Sequence, residues 1–294
     1  MKFSRAYVEI TNICGLSCSF CPSKEQSYQT MGVDFFKHAL QELKPYTDEI
    51  ALHVMGDPMV LSNLREYLDC AHAFGFKVMI TTSGFYLDEV RRQNLFHPSL
   101  RQVNISLNSF NKNSVSCTFE AYMEPILALC DEKLFHKGDF FINLRLWNLD
   151  DVHSESHFNE RLFALLKEHF SLKQEALALQ ISGERQSIRL ASKVLLHFDR
   201  YFEWPSLHNR VVGDGYCLGL QKQIAVLADG SVVPCCLDGE GIITLGNLHV
   251  TNLDKILQSE RSTYIREGFE RAMCTEELCQ KCSYKERFKT KGQL

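Results

Sequence analysis

The sequence lacks any stretch of about 18 uninterrupted apolar residues, the length that a membrane-spanning helix needs. It also lacks an excess of positive charge, because 32 Lys and Arg residues stand against 36 Asp and Glu residues in a chain of 294. Nucleic acids and anionic lipids are usually bound by a clustered positive surface. No long apolar segment precedes Glu9, which argues against a secretory signal. We therefore expect a cytoplasmic protein that binds neither nucleic acid nor membranes.

Cysteine is the residue type that the chain has in abundance. Its 12 cysteines make up about 4% of the sequence, below the ~8–10% of small disulfide-rich scaffolds but high for a cytoplasmic protein. Most fall into three groups: Cys14, Cys18 and Cys21; Cys217, Cys235 and Cys236; and Cys274, Cys279 and Cys282. Clustered cysteines in a reducing compartment favour metal or redox sites over disulfides. The separate Cys70, Cys117 and Cys130 are expected to be buried small hydrophobic residues.

Short apolar segments alternate with amphipathic segments over about two thirds of the chain. The predicted strands are Tyr7–Thr11, Glu49–Met55, Lys77–Thr82, Gln102–Leu107, Phe140–Trp147 and Leu177–Ser182. The predicted helices between them are Val33–Leu43, Ser62–Phe74, Asp88–Leu95, Phe119–Asp131 and Phe158–His169. This alternation predicts an α/β fold whose parallel sheet is open or curled into a partial barrel. Ligand sites in such sheets lie at the carboxyl ends of the strands.

The pattern changes after Ser182. A strand is predicted over Lys193–Phe198, and a hairpin about Asp229-Gly230 joins Gln223–Leu227 to Ser231–Val233. Two more helices are predicted, over Leu253–Ser259 and Ser262–Met273. We expect a boundary near residue 205, which divides the chain into domains 1–205 and 206–294, the second a small cysteine-rich α+β domain.

Cys14, Cys18 and Cys21 share one loop directly after the first predicted strand. Three thiolates in a short loop can ligate three irons of an iron–sulfur cube and leave the fourth iron open to a small molecule. A structural zinc site is the alternative, but zinc needs four ligands and the loop offers no obvious fourth.

The pattern C-x3-C-x-Phe-C after a first strand resembles the signature of the radical S-adenosylmethionine (radical SAM) enzymes. The resemblance implies a partial (β/α)6 barrel and a [4Fe-4S] cluster held by Cys14, Cys18 and Cys21, with SAM at the open iron. It also implies that Phe20 packs near the adenine, although Phe20 is almost as readily a core anchor for the loop.

Further SAM contacts are implied at the ends of later strands. Met55-Gly56-Asp57-Pro58 resembles the Gly-Gly-Glu-Pro turn that holds the SAM amino group, with Met55 and Asp57 as departures from it. The alternative is a plain turn in which Asp-Pro opens a helix. The implied contacts are Gly56, Asp57, Ser83, Ser106 and Arg145. The alternatives for Arg145 are an ion pair with a neighbouring strand or a side chain that snorkels outward to solvent. Glu9 and His53 are either substrate contacts or satisfied core groups.

The later cysteines can supply four converging sulfurs, which on spacing alone suit zinc and an iron–sulfur cube equally. Cys217 and Cys235 flank the predicted hairpin, and Cys279-x2-Cys282 follows. The segment from Cys217 to Cys282 resembles the C-terminal extensions called SPASM or Twitch domains, which implies one auxiliary [4Fe-4S] cluster on Cys217, Cys235, Cys279 and Cys282. Cys236 is expected to point away from this site if its strand continues, because neighbouring strand residues alternate faces, and Cys274 is a spare that could replace a ligand.

The resemblance implies that SAM is cleaved reductively and that the resulting 5′-deoxyadenosyl radical abstracts hydrogen from a substrate carbon. We expect oxidation or another modification of a small polar metabolite, such as a sugar or aminocyclitol derivative, with flavodoxin or ferredoxin as the electron donor. The alternatives are a peptide- or protein-modifying enzyme, a non-catalytic electron-transfer protein and a zinc-binding interaction module. The chain begins 13 residues before Cys14, so we expect no N-terminal peptide-recognition domain.

Overall fold

The computed structural model describes residues 1–22, 26–148, 156–172 and 187–288. Its strands are β1 (Arg5–Val8), β2 (Glu49–Ala51), β3 (Lys77–Thr82), β4 (Leu100–Ser106), β5 (Phe141–Leu146), β6 (Ser187–Ala191), β7 (Val194–Phe198), β8 (Gln223–Val226), β9 (Ser231–Val233) and β10 (Gly246–Asn247). Its α-helices are α1 (Val33–Leu43), α2 (Leu64–Ala73), α3 (Glu89–Asn94), α4 (Phe119–Phe135), α5 (Ser156–His169), α6 (Leu253–Gln258), α7 (Glu260–Glu270) and α8 (Glu277–Gln280). In these ranges, no helix is long and apolar enough to cross a bilayer.

The first of two structural units comprises Met1–Gly15, Phe20–Ile80 and Phe202–Leu294. Its strands follow the order β10-β9-β8-β1-β2-β3. β1 runs parallel to both β2 and β8, and β2 runs parallel to β3. β8 and β9 form the predicted antiparallel hairpin about Asp229-Gly230. Helix α1 buries Phe36, Ala39, Leu40 and Leu43, which recur at helical spacing and therefore form one apolar stripe.

The second unit comprises Leu16–Ser19 and Thr81–Tyr201. β4, β5 and β7 are parallel neighbours in that order, and β6 pairs antiparallel with the outer edge of β7. The side chains of β5 alternate between buried and half-buried positions, with Ile142, Leu144 and Leu146 in the core. The alternate residues Asn143 and Arg145 therefore share the opposite face of the sheet.

Several predicted elements are found with small changes at their ends. Lys77–Thr82 and Val33–Leu43 are found as predicted, whereas the strand predicted over Glu49–Met55 ends at Ala51. The Met55 amide donates its hydrogen bond to the side chain of Glu9 and not to a neighbouring strand. The predicted strand Leu177–Ser182 lies outside the described residues, and the domain boundary near residue 205 stays a prediction.

The expectation that the three separate cysteines are buried is correct for only one of them. Cys130 is buried, but Cys70 and Cys117 are partly exposed. Cys70 belongs to the amphipathic helix α2, whose buried positions are Leu64, Tyr67, Leu68 and Ala71, so Cys70 borders the apolar stripe without entering it.

Candidate functional site

In the first unit, the turn Met55-Gly56-Asp57 lies directly against the backbone that leads into Cys14. A Cβ atom on Gly56 would come within 1.9 Å of the Thr11 carbonyl oxygen, so this close approach requires glycine. The Asp57 amide donates a hydrogen bond to the Ile13 carbonyl at 2.9 Å. The predicted SAM amino-group turn and the start of the cysteine loop are therefore neighbours.

Glu9 holds the same turn from the other side. It follows β1, is 1% exposed, and accepts a hydrogen bond at Oε1 from the Met55 amide at 2.8 Å. Its Oε2 accepts from the Ala228 amide in the β8–β9 turn at 3.3 Å. The structure shows Glu9 as a satisfied core group, because both carboxylate oxygens have the hydrogen-bond donors that a buried carboxylate needs.

Asp57 caps the short 3₁₀ helix that follows it, Pro58–Val60. Asp57 is 2% exposed, and its Oδ1 accepts a hydrogen bond from the Met59 amide at 3.0 Å. This is the structural alternative given by the sequence, an Asp-Pro step that opens a helical turn. The contact between Asp57 and the SAM amino group stays a prediction.

The three cysteines of the first loop differ in exposure. Cys14 is half-buried and Cys21 is exposed, whereas Cys18 is buried in the second unit. Burial raises the pKa of the Cys18 thiol, and a hydrogen bond with Ser109 opposes that rise. Ser109, in the 3₁₀ turn Leu107–Ser109 after β4, was missed by the sequence analysis, and its only signal is its place at a strand end. Phe20 is half-buried in the first unit.

In the second unit, Ser106, Arg145 and His197 form one row across the sheet. Ser106 pairs with Arg145 between β4 and β5, and Arg145 pairs with His197 between β5 and β7. The row lies toward the carboxyl ends of three parallel strands, where α/β proteins bind ligands. The Tyr122 hydroxyl on α4 donates to the carbonyl of Ser83 at 2.7 Å and approaches that of Ser106 at 3.4 Å.

Arg145 and His197 are both placed by Trp147. The guanidinium carbon of Arg145 lies 4.8 Å from the centre of the Trp147 ring. The Trp147 indole N–H donates to Nδ1 of His197 at 3.1 Å, which requires that Nδ1 carry no proton. Burial lowers the pKa of His197, and the Arg145 charge lowers it further. His197 lies within a predicted strand, but only the sheet register brings it beside Arg145.

A second polar row lies below the first on the same face. Asn104 is fully buried and pairs with Asn143 in the β4–β5 register. Its amide nitrogen donates to the Thr81 hydroxyl at 3.1 Å, and its Oδ1 accepts from Gln102 at 2.7 Å and from Asn143 at 3.3 Å. Parallel strands are usually apolar on both faces, so this polar row is an exception within the sheet.

One cavity in the first unit is lined by five of the 12 cysteines: Cys217, Cys235, Cys274, Cys279 and Cys282. Burial raises the pKa of Cys217 to about 12 and raises the pKa values of Cys235 and Cys279 strongly. The neighbouring thiols raise these three values further, since each disfavours a second negative charge nearby.

The side chains around this cavity fit a cysteine-ligated cluster. Within the described ranges, no three His, Cys, Asp or Glu side chains already stand in the arrangement of a metal site. Five thiols on one buried cavity nevertheless form an all-sulfur donor set, the set that iron–sulfur clusters use, and thiols lose their protons when metal binds. The structure brings together the four predicted ligands and also the spare, Cys274.

Cys236 is not among the residues that line this cavity, although β9 ends at Val233 and the strand alternation behind the prediction does not extend to Cys236. It packs with Tyr7 and Met55 against a buried cluster that includes Val54 and Leu227. The rings of Tyr7 and His53 form a T-shaped contact with a centroid distance of 5.6 Å.

Two family models match the chain in separate regions. The model of the radical SAM superfamily matches residues 8–154, and the model of the SPASM iron–sulfur cluster-binding domain matches residues 217–283. A search of curated proteins finds no match.

Solved structures match nearly the whole chain. BtrN in complex with AdoMet and 2-DOIA is 17% identical, with a TM-score of 0.60 over 96% of this chain and 94% of that one. Streptococcus suis SuiB bound to precursor peptide SuiA is 14% identical, with a TM-score of 0.60 over 96% and 71%. Native anSMEcpe with bound AdoMet and Cp18Cys peptide is 15% identical, with a TM-score of 0.56 over 95% and 86%. These likenesses confirm the predicted fold class, an α/β partial barrel followed by a cysteine-rich domain.

Proposed function

Because this chain belongs to the radical SAM superfamily, we propose that it oxidises or otherwise modifies a small polar metabolite of the sugar or aminocyclitol kind. The superfamily and the SPASM domain imply a SAM-binding [4Fe-4S] cluster and an auxiliary iron–sulfur cluster. When bound, these groups supply reductive cleavage of SAM, a 5′-deoxyadenosyl radical that takes hydrogen from substrate carbon, and an acceptor for a second electron.

In this proposal, Cys14, Cys18 and Cys21 hold the SAM-binding cluster. The backbone of the Gly56 turn and the carboxylate of Asp57 receive the SAM amino group, since the turn adjoins the segment before Cys14. Cys217, Cys235, Cys279 and Cys282 hold one auxiliary cluster, with Cys274 as the alternative ligand on the same cavity.

The remaining SAM contacts proposed are Phe20, Ser83, Ser106 and Arg145. Arg145 presents a cation in line with the Ser106 position, which suits a carboxylate such as that of SAM. Phe20, beside the cysteine loop, offers an aromatic surface for the adenine.

The proposed substrate class rests on the polar face of the second unit. Ser106, Arg145 and His197 offer hydroxyl, guanidinium and imidazole groups at neighbouring positions, and the amides of Asn104 and Asn143 hydrogen-bond to each other beneath that row. Such a surface binds ligands rich in hydroxyl and amino groups more tightly than apolar ligands, because a polar group that is buried without a hydrogen-bond partner is costly. The likeness to BtrN, whose structure holds 2-DOIA, gives further support.

The test is an anaerobic assay of the reconstituted protein with SAM, a reductant, and either 2-DOIA or other small amino polyols. We expect 5′-deoxyadenosine to form and to gain deuterium from a substrate deuterated at its carbinol carbons. Flavodoxin or ferredoxin should replace the chemical reductant. No deuterium transfer from any member of the panel would contradict the proposed substrate class.

A peptide-modifying function is the second candidate. It is favoured by the likeness to SuiB and anSMEcpe, whose structures hold peptides. A precursor peptide encoded beside the gene, and deuterium transfer from that peptide alone, would decide for this alternative.

A further inference from the structure

Lys285 is a buried lysine beside the five-cysteine cavity. It is 4% exposed, lies in the 3₁₀ turn Ser283–Arg287 and is one of the residues that line the cavity. A Cβ atom on Gly215 would come within 3.1 Å of its Cδ atom, so the aliphatic part of Lys285 packs closely on backbone. Its ammonium group is thereby held in one place.

All of the hydrogen bonds of this ammonium go to backbone carbonyls of the Cys279–Cys282 segment. The acceptors are the carbonyl oxygens of Cys282 at 2.7 Å, Cys279 at 2.9 Å and Gln280 at 3.4 Å. An ammonium has three N–H donors, so its donors are fully used. In the described part of the chain, no carboxylate lies within salt-bridge distance of it.

A buried cation without an anionic partner is costly, and lysine is rarely buried unless it is paired. The cost falls if a group of net negative charge occupies the adjoining cavity. A cube ligated by four thiolates is such a group, because the negative thiolates outnumber the positive charges of the cube.

We propose that Lys285 raises the reduction potential of the auxiliary cluster by holding a fixed positive charge beside it. The inference rests on the proposed function, in which Cys279 and Cys282 are ligands of that cluster. Reduction adds one electron and therefore one negative charge to the cluster. A positive charge in a medium of low dielectric constant stabilises the reduced state more than the oxidised state. In the proposed reaction the substrate radical supplies that electron, and a higher potential makes the cluster a better acceptor.

The experiment measures the potential of the auxiliary cluster alone. Full-length protein with Cys14, Cys18 and Cys21 replaced by Ala is reconstituted anaerobically, so that only the auxiliary cluster remains. The protein with Lys285 and the Lys285→Met variant are each titrated with reductant, and the reduced cluster is followed by electron paramagnetic resonance. At the midpoint potential of the Lys285 protein, the reduced-to-oxidised ratio of the Met variant should fall about tenfold, which is ~59 mV for a one-electron couple.

Three further variants separate charge from structure. Lys285→Arg keeps the charge and should keep most of the potential, whereas Lys285→Gln keeps donors without charge and should behave like Lys285→Met. Lys281→Met is the matched control, because the Lys281 ammonium pairs with Glu277 at 2.7 Å and its charge is already balanced. Its ratio should stay within about twofold of the parent.

An unchanged potential in Lys285→Met or Lys285→Gln, with full iron and sulfide content, would overturn the proposal. Loss of the cluster from both uncharged variants but not from Lys285→Arg would also overturn it, because the charge would then serve assembly and not the potential. Failure of the proposed function looks different: an auxiliary cluster that survives replacement of Cys279 and Cys282 would contradict the ligand assignment, whatever the potential of the Lys285 variants.

Discussion

At the scale of single residues, Asp57 is assigned two tasks. The structure shows one of them, the cap on the Met59 amide, and the family resemblance supplies the other, the charge that receives the SAM amino group. Asp57→Asn separates the two, because an amide oxygen can still cap the turn but carries no charge. We expect Asn to weaken SAM binding by about 1–3 kcal/mol with cluster content unchanged, whereas Ala should also lose about 1 kcal/mol of stability.

The measurement is the dissociation constant of SAM on reconstituted protein, with denaturant unfolding in parallel. Asp88→Asn is the control for SAM affinity, since Asp88 also caps a helix, with Oδ1 accepting from the Arg91 amide at 2.8 Å, but it additionally pairs with the Arg91 guanidinium. If Asp57→Asn and the wild type bind SAM with equal affinity, capping the turn is the only role of Asp57.

His197 should make stability depend on pH. Its folded-state pKa lies below the ordinary value of about 6.5, owing to burial and then to Arg145, whereas Asp199 opposes the shift. The stabilisation by neutral His197 is therefore complete above the unfolded-state pKa and is lost as pH falls through the folded-state pKa.

His197→Asn keeps an acceptor for the Trp147 indole but cannot titrate. Between pH 7 and pH 5, the free energy of unfolding should fall more for wild type than for this variant. Urea unfolding at a series of pH values measures the difference. Parallel curves would mean that His197 is charged, or unburied, in the folded protein.

At the scale of elements, the turn after β2 has room for glycine only. Alanine at position 56 would place Cβ 1.9 Å from the Thr11 carbonyl oxygen, and neither backbone can move without disturbing the segment before Cys14. We expect Gly56→Ala to cost about 1–3 kcal/mol or more and to lower the iron bound by the first cysteine loop.

Gly32→Ala is a matched control, because Gly32 precedes a helix with ordinary backbone angles and a Cβ there meets nothing within 4 Å. Its iron content should equal that of wild type, and its stability should change by no more than about 1 kcal/mol, because Gly32 is the N-cap of α1 and alanine is a weaker N-cap residue. A Gly56→Ala protein with normal iron and normal stability would show that the turn can shift away from Thr11.

At the scale of the whole molecule, the two cysteine regions predict two clusters. Anaerobically reconstituted protein should hold close to two [4Fe-4S] clusters, and replacing Cys14, Cys18 and Cys21 by Ala should remove one cluster and abolish SAM cleavage. Iron and sulfide analysis measures the number of clusters. Cys70→Ala and Cys117→Ala are the matched control variants, because these two cysteines lie outside both cysteine regions. One cluster with bound zinc would contradict the auxiliary iron–sulfur site.

Many local features of this protein are predictable from the spacing of residues along the chain. The strand–loop cysteine pattern, the helix Val33–Leu43 and the hairpin at Asp229-Gly230 are local features, set by short-range backbone and side-chain preferences, and each is legible without tertiary structure. The family and fold class came from those same local patterns, and both are confirmed.

Only the tertiary structure decided what surrounds the candidate sites. His197 joins Arg145 because the β5–β7 register places them side by side, 52 positions apart in sequence. Glu9 reaches the Ala228 amide in the β8–β9 turn, 219 positions away, through a hydrogen bond that depends on how distant segments fold together. A sequence pattern shows which side chains are polar, but the partner that satisfies a buried charge is chosen by packing, because desolvation is costly wherever no partner lies near.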